Sequence, residues 1–314
     1  MTKQSAGIHH ISAMVKDPQR TLDFYGNVLG LRFVKQTVNF DDPGTYHLYF
    51  GDEQGAPGTV ITFFPIPGIG KGSVGSGQVG VTAYLVPEGS LLFWEKRLND
   101  HGVGTVATER FGEPSLLFED PDGLVVELVA RTSTKQTSWV VPGVTSREAI
   151  VGFAGATLLS KDPEATVRLL TGLFGFETVG EDSEWIRLEA TADYGNVIDV
   201  KKTILPNGVP GSGTVHHIAW RINDGEDYAS WQDAIFELGL RPTEVKERHY
   251  FRSVYFHDGG RILHELATDA PGFLIDESLE GLGSTLKLPA WFEQDREAIT
   301  RTLPTITIPR GDMT

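Results

Sequence analysis

Two short apolar stretches of this chain each carry a histidine pair, Ile8-His9-His10-Ile11-Ser12-Ala13 and Val215-His216-His217-Ile218-Ala219-Trp220. In both, the second histidine precedes an aspartate by the same interval, His10 to Asp17 and His217 to Asp224. The match makes His10 and His217 equivalent positions in two copies of one unit. Side chains alternate along a strand, so these two should point to the same side of their sheets, with His9 and His216 facing the other way. Two convergent imidazoles are metal-ligand chemistry, and a third donor is needed to complete a site. Glu265 supplies it, because Ile262-Leu263-His264-Glu265-Leu266-Ala267 otherwise reads as a buried strand, where an uncompensated carboxylate is costly. Two His and one carboxylate on one side of an ion leave its other positions open, as in non-haem Fe(II) oxygenases. Mn(II), Zn(II) or Ni(II) would suit the same donors.

The elements that must hold these residues repeat along the chain. The first unit is a strand over 7–15, a helix with Asp17 as N-cap and Pro18 as its first residue, running to about 28 and closed by Gly30, then strands over 31–38, 46–50 and 59–64. The second opens at 78–86, has a helix over 90–101 and ends in a strand over 124–129. The third opens at 151–159 with Asp162-Pro163 at its helix start, and Phe174-Gly175-Phe176 echoes Leu29-Gly30-Leu31. The fourth opens at the second histidine pair, has a helix over 228–237 and ends in the strand of Glu265. Four βαβββ units of roughly 55 residues are an internal repeat, and each leaves a sheet face to bury, so pairs should close around shared cavities. The fold class is α+β: four modules in two barrel-like domains with a C-terminal helix. The polar stretch 132–138 divides modules one and two (1–135) from modules three and four (145–270), and 271–314 is an extension whose helix over 291–299 straps the surface. Modules one and four should share the metal barrel.

Composition narrows the partners. With 314 residues, 40% of them apolar, the chain is long enough for two domains. It has no Cys, so disulfides, thiolate zinc sites and a Cys nucleophile are excluded. Its formal charge of -15 argues against nucleic acid, whose phosphates need a basic surface. No apolar run reaches the roughly 18 residues of a membrane span, and the first residues lead into a strand without a signal-like segment, so a cytoplasmic location is expected.

Other candidates compete for the site. Glu127 in Val125-Val126-Glu127-Leu128 copies the setting of Glu265, but its own module opens with Gly80 and Val81 where module four has a histidine, and module three has Gly155 in that register. Modules two and three therefore read as a metal-free barrel. In module one the matching carboxylate position falls near Thr62 and Phe63. His47, His101 and His249, met singly, read as ordinary packed or exposed histidines. Phe40, Tyr46, Phe63 and Trp220 are aromatic candidates for a pocket wall, with core packing the competing role.

The repeat, with Phe24-Tyr25 and Leu29-Gly30-Leu31, resembles the vicinal oxygen chelate superfamily of glyoxalase I, extradiol dioxygenases and fosfomycin-resistance proteins. It is most similar to hydroquinone ring-cleaving dioxygenases of the 2,6-dichlorohydroquinone 1,2-dioxygenase type. The residues that carry this include Gly7-Ile8-His9-His10-Ile11, Val38-Asn39-Phe40-Asp41-Asp42-Pro43-Gly44-Thr45-Tyr46-His47-Leu48, Thr62-Phe63-Phe64-Pro65, His216-His217-Ile218-Ala219, Ala267-Thr268-Asp269-Ala270-Pro271-Gly272-Phe273 and Leu288-Pro289-Ala290-Trp291. The resemblance implies Fe(II) on His10, His217 and Glu265, with Arg248 and Tyr255 beside it; His9, His216 and Ser12 are at most supporting groups around those ligands. It implies a small aromatic substrate and O2 as partners, opened by a ring-cleaving dioxygenase; a homo-oligomer is compatible with it. A glyoxalase-type lyase or isomerase and a non-catalytic aromatic-binding resistance protein are the alternatives. The sequence departs from the family at His257-Asp258-Gly259-Gly260-Arg261 and His264, where relatives carry Arg-Glu-Pro-Gly-Gly, a difference that bears on substrate preference.

Overall fold

The computed structural model describes residues 3–133, 135, 137–223, 225, 227–309 and 311–313. Asp224, Thr134 and Gln136, used above for the register and the linker, lie outside the described residues, as do Met1 and Thr2. Module one comprises β1 (Ile8–Val15), α1 (Pro18–Leu22), β2 (Arg32–Asn39), β3 (Asp42–Gly51) and β4 (Val60–Pro65). Module two comprises β5 (Gln78–Pro87), α2 (Leu91–Asp100), β6 (Val106–Arg110), β7 (Glu113–Glu119) and β8 (Val125–Arg131), followed by the short β9 (Trp139–Val140). Module three is β10 (Gly152–Leu159), α3 (Pro163–Gly172), β11 (Glu177–Glu181), β12 (Trp185–Glu189) and β13 (Val197–Lys201). Module four is β14 (Thr214–Ile222), α4 (Tyr228–Glu237), β15 (Lys246–Glu247), β16 (Arg252–His257) and β17 (Leu263–Thr268); α5 (Arg296–Thr302) and β18 (Asp312–Met313) close the chain. This is an α+β fold of two eight-stranded sheets. One runs β15-β16-β17-β14-β1-β4-β3-β2 and the other β11-β12-β13-β10-β5-β8-β7-β6. Each sheet therefore joins a module from before residues 132–138 to one from after them.

The local signals act as their chemistry requires. Asp17 Oδ1 accepts from the Arg20 amide at 3.0 Å and Asp162 Oδ1 from the Ala165 amide at 2.9 Å, each with Pro at the first helical position. The first helix differs from expectation: it is α only to Leu22, and Asp23–Val28 is a π turn. The widened turn buries three successive residues, Phe24, Tyr25 and Gly26, which a 3.6-residue period cannot place on one face. Tyr25 stacks on Phe63 at 4.4 Å behind β4 and donates to Asp120 Oδ2 at 3.1 Å, tying module one to module two.

The terminal helix over 291–299 is also revised. Ala290–Asp295 is a 3₁₀ turn and the α-helix starts at Arg296. The remainder of the extension does strap module one: Tyr46 donates to the Pro304 carbonyl at 3.0 Å, the Thr307 amide to Gln19 Oε1 at 2.7 Å, and β18 pairs with β9. Among the described residues no helix is long and apolar enough to cross a membrane.

Burial pushes the Asp120 carboxyl from its ordinary 3.8 up to about 6. The folded chain thus keeps a proton between pH 4 and 6 that the unfolded chain has released, so this group favours folding below that window and ceases to as pH rises through 6. Asp120→Asn should therefore raise stability relative to the parent more at pH 7 than at pH 4, as read by denaturant unfolding at both values.

Candidate metal centre

The site lies at the seam between β1 and β14, which pair antiparallel in the first sheet. Ile8 faces Trp220 and His10 faces Ala219, so His9 is an extra residue on β1; Ser12 faces His217 and Ala13 faces Val215, so His216 is an extra residue on β14. Both histidine pairs are β-bulges, which break strict alternation and re-aim side chains. The expectation that His9 and His216 turn away from the site is corrected accordingly. His9 Nδ1 stands 2.9 Å from His10 Nδ1, and His216 Nδ1 stands 2.7 Å from His217 Nδ1.

Parallel pairing of β14 with β17 sets Ala219 opposite Glu265 and brings the third donor into the same register. His10 Nε2 and His217 Nε2 are 3.3 Å apart, and Glu265 Oε2 lies 3.2 Å from the first and 2.8 Å from the second. Three donors on one face of an octahedron with bonds of about 2.1 Å would be about 3.0 Å apart. All three residues are buried, and Glu265 Oε2 makes no well-formed hydrogen bond with the described residues. A buried, close-set trio of potential donor atoms, one of them a carboxylate oxygen without a well-formed hydrogen bond, fits a cation. Burial opposes the charge on Glu265, yet His10 and His217 hold its carboxyl well below the usual carboxylate range.

The surrounding groups orient these donors. Ser253 donates to Glu265 Oε1 from the neighbouring strand β16. Ser12, opposite His217, bonds Thr62 Oγ1 at 2.6 Å rather than any of the three donors. Thr62 continues to His47 Nε2 at 2.8 Å, and His47 Nδ1 to the Tyr49 hydroxyl at 2.8 Å. Burial holds the His47 ring neutral, with its pKa well below the ordinary histidine value. The placement of His47 comes from the pairing of β3 with β4, where Tyr49 faces Thr62, a register that its own sequence context does not reveal.

A cavity of about 420 Å³ opens over His10 and His217, within the range of small-molecule sites. Arg248 and Tyr255 both line it. Arg248 Nε lies 3.3 Å from the Tyr255 hydroxyl, and an Arg248 guanidinium nitrogen pairs with Asp41 at 2.9 Å. Burial opposes the Arg248 charge, but Tyr255 and Asp41 more than restore it; burial and Glu265 push the Tyr255 hydroxyl well above the ordinary tyrosine value. Of the four aromatic candidates only Phe40 lines the cavity. Tyr46, Phe63 and Trp220 are core residues, and Tyr49, Phe64 and Phe251 supply the aromatic wall instead. His264 faces the opposite side, 2.9 Å from Trp220 Nε1, and Asp258 bonds Thr166 of α3, so these departures from the family pattern lie outside the cavity.

The second sheet repeats the registers with different chemistry. Gly155 faces Ala83 where His10 faces Ala219, and Thr157 faces Val81 where Ser12 faces His217. Glu127 faces Ala83 as Glu265 faces Ala219, and Ser115 donates to Glu127 Oε1 at 2.7 Å. Asp199 takes the register of Thr62. Arg110 reaches Asp199 at 2.8 Å and lies 4.0 Å from Glu127, and the space left is about 20 Å³. Arg187 binds the Asp199 carboxylate at 2.7 and 2.8 Å, so guanidinium groups supply the positive charge in this barrel. His10, His217 and Glu265 form the one such donor cluster among the described residues.

Comparison with known proteins follows the same lines. Residues 7–128 and 152–276 match the family described as Glyoxalase/Bleomycin resistance protein/Dioxygenase superfamily. The chain is 52% identical over 303 residues, 96% of it and 97% of the relative, to "Putative ring-cleaving dioxygenase MhqO" of Bacillus subtilis (strain 168). It is 33% identical over 310 residues, 95% of each chain, to the "Chlorohydroquinone/hydroquinone 1,2-dioxygenase" of Sphingobium indicum. The crystal structure of a "putative dioxygenase from Bacillus subtilis subsp. subtilis str. 168" superposes with a TM-score of 0.95 at 51% identity, over 98% of this chain and 99% of that one. Glyoxalase I of Zea mays shares the fold with a TM-score of 0.63 at 16% identity, over 84% of this chain and 92% of that one.

Ser253→Ala should weaken divalent-ion binding roughly 10- to 100-fold, the usual cost of losing a group that orients a ligand. Ser115→Ala, its counterpart in the second barrel, should leave it unchanged; metal titration of the apo-protein reads both.

Proposed function

The chain belongs to the Glyoxalase/Bleomycin resistance protein/Dioxygenase superfamily, and on that premise we propose that it is an Fe(II)-dependent ring-cleaving dioxygenase acting on hydroquinone- or catechol-like aromatics. One observation carries the reading: among the described residues the donor cluster stops at three. Thr62, not a carboxylate, stands in module one at the register that Glu265 holds in module four, so a facial set with open positions remains. A glyoxalase-type site would want a second carboxylate there. The relatives named as dioxygenases point the same way.

His10 Nε2, His217 Nε2 and Glu265 Oε2 would hold the metal. Fe(II) there would supply the electron-transfer chemistry that lets dioxygen react with an aromatic ring. The protein's part is to bind and orient. With the Nε2 lone pairs of His10 and His217 engaged, their Nδ1 atoms carry the protons and donate to His9 Nδ1 and His216 Nδ1. The partner rings are thereby fixed with hydrogen on Nε2, and His216, which lines the cavity, offers that N–H to a substrate oxygen. Arg248 keeps its charge at the cavity wall and favours a deprotonated hydroxyl. Tyr255 keeps its proton and is a hydrogen-bond donor. Phe40, Phe64 and Phe251 give the ring apolar surfaces and exclude water.

The test is anaerobic purification, Fe(II) loading and oxygen-electrode assay against a panel of hydroquinones and catechols. Stoichiometric oxygen uptake with ring opening is expected; no uptake across the panel from a chain that carries stoichiometric zinc or nickel would contradict it. Arg248→Met should lower kcat/KM roughly 10- to 100-fold, the worth of a hydrogen bond to a charged group.

A further inference from the structure

We propose that the preferred substrate carries, beside its hydroxylated ring, an apolar group about as large as a second ring: an aryl-substituted or fused bicyclic hydroquinone. This rests on the ring-cleaving reading above and adds what fills the rest of the cavity. The space is about 420 Å³, whereas a dry cavity of about 150 Å³ already holds one benzene. A single dihydroxylated ring leaves room there beyond what an ion and dioxygen would take.

The strands that carry the donors also shape the remaining space. Along β1 the inward row that begins with His10 and Ser12 continues to Met14; along β4, Thr62 is followed by Phe64 and then Ile66; on β17, Leu263 precedes Glu265 by two. Met14 pairs with Phe64, and the Ile66 amide bonds the Val15 carbonyl at 3.0 Å, so the rows stay side by side past the end of the strand. Met14, Phe64, Ile66 and Leu263 all line the cavity and none bears a charge. The charged lining groups, Asp41, Lys246 and Arg248, come from elsewhere, the β2–β3 turn and β15 with the residue after it. The cavity therefore has an apolar lobe one to two residue pairs beyond the donors and a charged wall on separate elements. An apolar substituent in the lobe gains by burial, whereas a charged one there loses its solvation.

Binding of phenol and 4-hydroxybiphenyl to the Fe(II)-loaded chain under nitrogen, measured by titration calorimetry, separates this from catalysis. The biphenyl should bind at least tenfold tighter, since burying one phenyl group is worth roughly 10- to 150-fold, and Ile66→Trp, which fills the lobe, should bring the two to near-equal affinity. A parent ratio under tenfold overturns the proposal even if the variant fails to fold. A ratio that Ile66→Trp leaves unchanged overturns it as well, because the group would then sit elsewhere. Absence of oxygen uptake with every aromatic would remove the dioxygenase reading, whereas a low ratio with uptake intact removes only the substituent.

Discussion

Everything at this site depends on the antiparallel pairing of β1 with β14, two strands whose histidines are 207 residues apart in the chain and whose ladder is interrupted twice. A bulge on each strand lets two consecutive histidines serve one site, the inner ring presenting Nε2 and the outer ring meeting its Nδ1. A regular ladder would have sent His9 and His216 to the other face and left the inner rings without an orienting partner. The bulges also fix the approach of His10 Nε2 to His217 Nε2 at 3.3 Å. Glu265 then needs only the parallel β14–β17 register to reach them both.

The second barrel shows what the pairing alone does not provide. It has the same two bulges, with Ala154 and Gly80 as the extra residues, and the same serine-bonded glutamate. It lacks the imidazoles and instead has Arg110 among Asp199, Glu127 and Thr157. A buried carboxylate must meet a positive charge in either barrel. In one the charge is tethered and fills the space. In the other the donors are two imidazoles and a carboxylate, and open volume lies above them. Duplication supplied the frame, and the residues at two strand positions decide whether a barrel is solid or has a site.

Much of this was legible because it rests on short-range chemistry. Asp-Pro helix starts, the repeat of a βαβββ pattern and the buried setting of Glu265 each declare themselves within a few residues. The equal spacing from His10 and His217 to an aspartate carried the rest, since it compares like positions without knowing how strands pair. What stayed hidden depends on pairing. The bulges cannot be seen in one strand, so alternation placed His9 and His216 wrongly. The role of His47 comes from Thr62 and Tyr49, which its isolated context does not reveal. Phe63 and Trp220 look like wall residues by composition, but the pleat turns them into the core and leaves Phe64 and Phe251 to face the cavity. The π turn after α1 follows from burying three successive residues, a demand set by the tertiary packing.

The central claim is that one ion sits on His10, His217 and Glu265 and nowhere else in the duplicated fold. Anomalous diffraction from crystals of the chain loaded with Fe(II) under nitrogen tests it most directly. A single iron peak within bonding distance of His10 Nε2, His217 Nε2 and Glu265 Oε2, with no protein atom in its remaining positions, is the predicted result. A peak beside Glu127 and Asp199, or a fourth protein ligand closing the first site, would contradict the account.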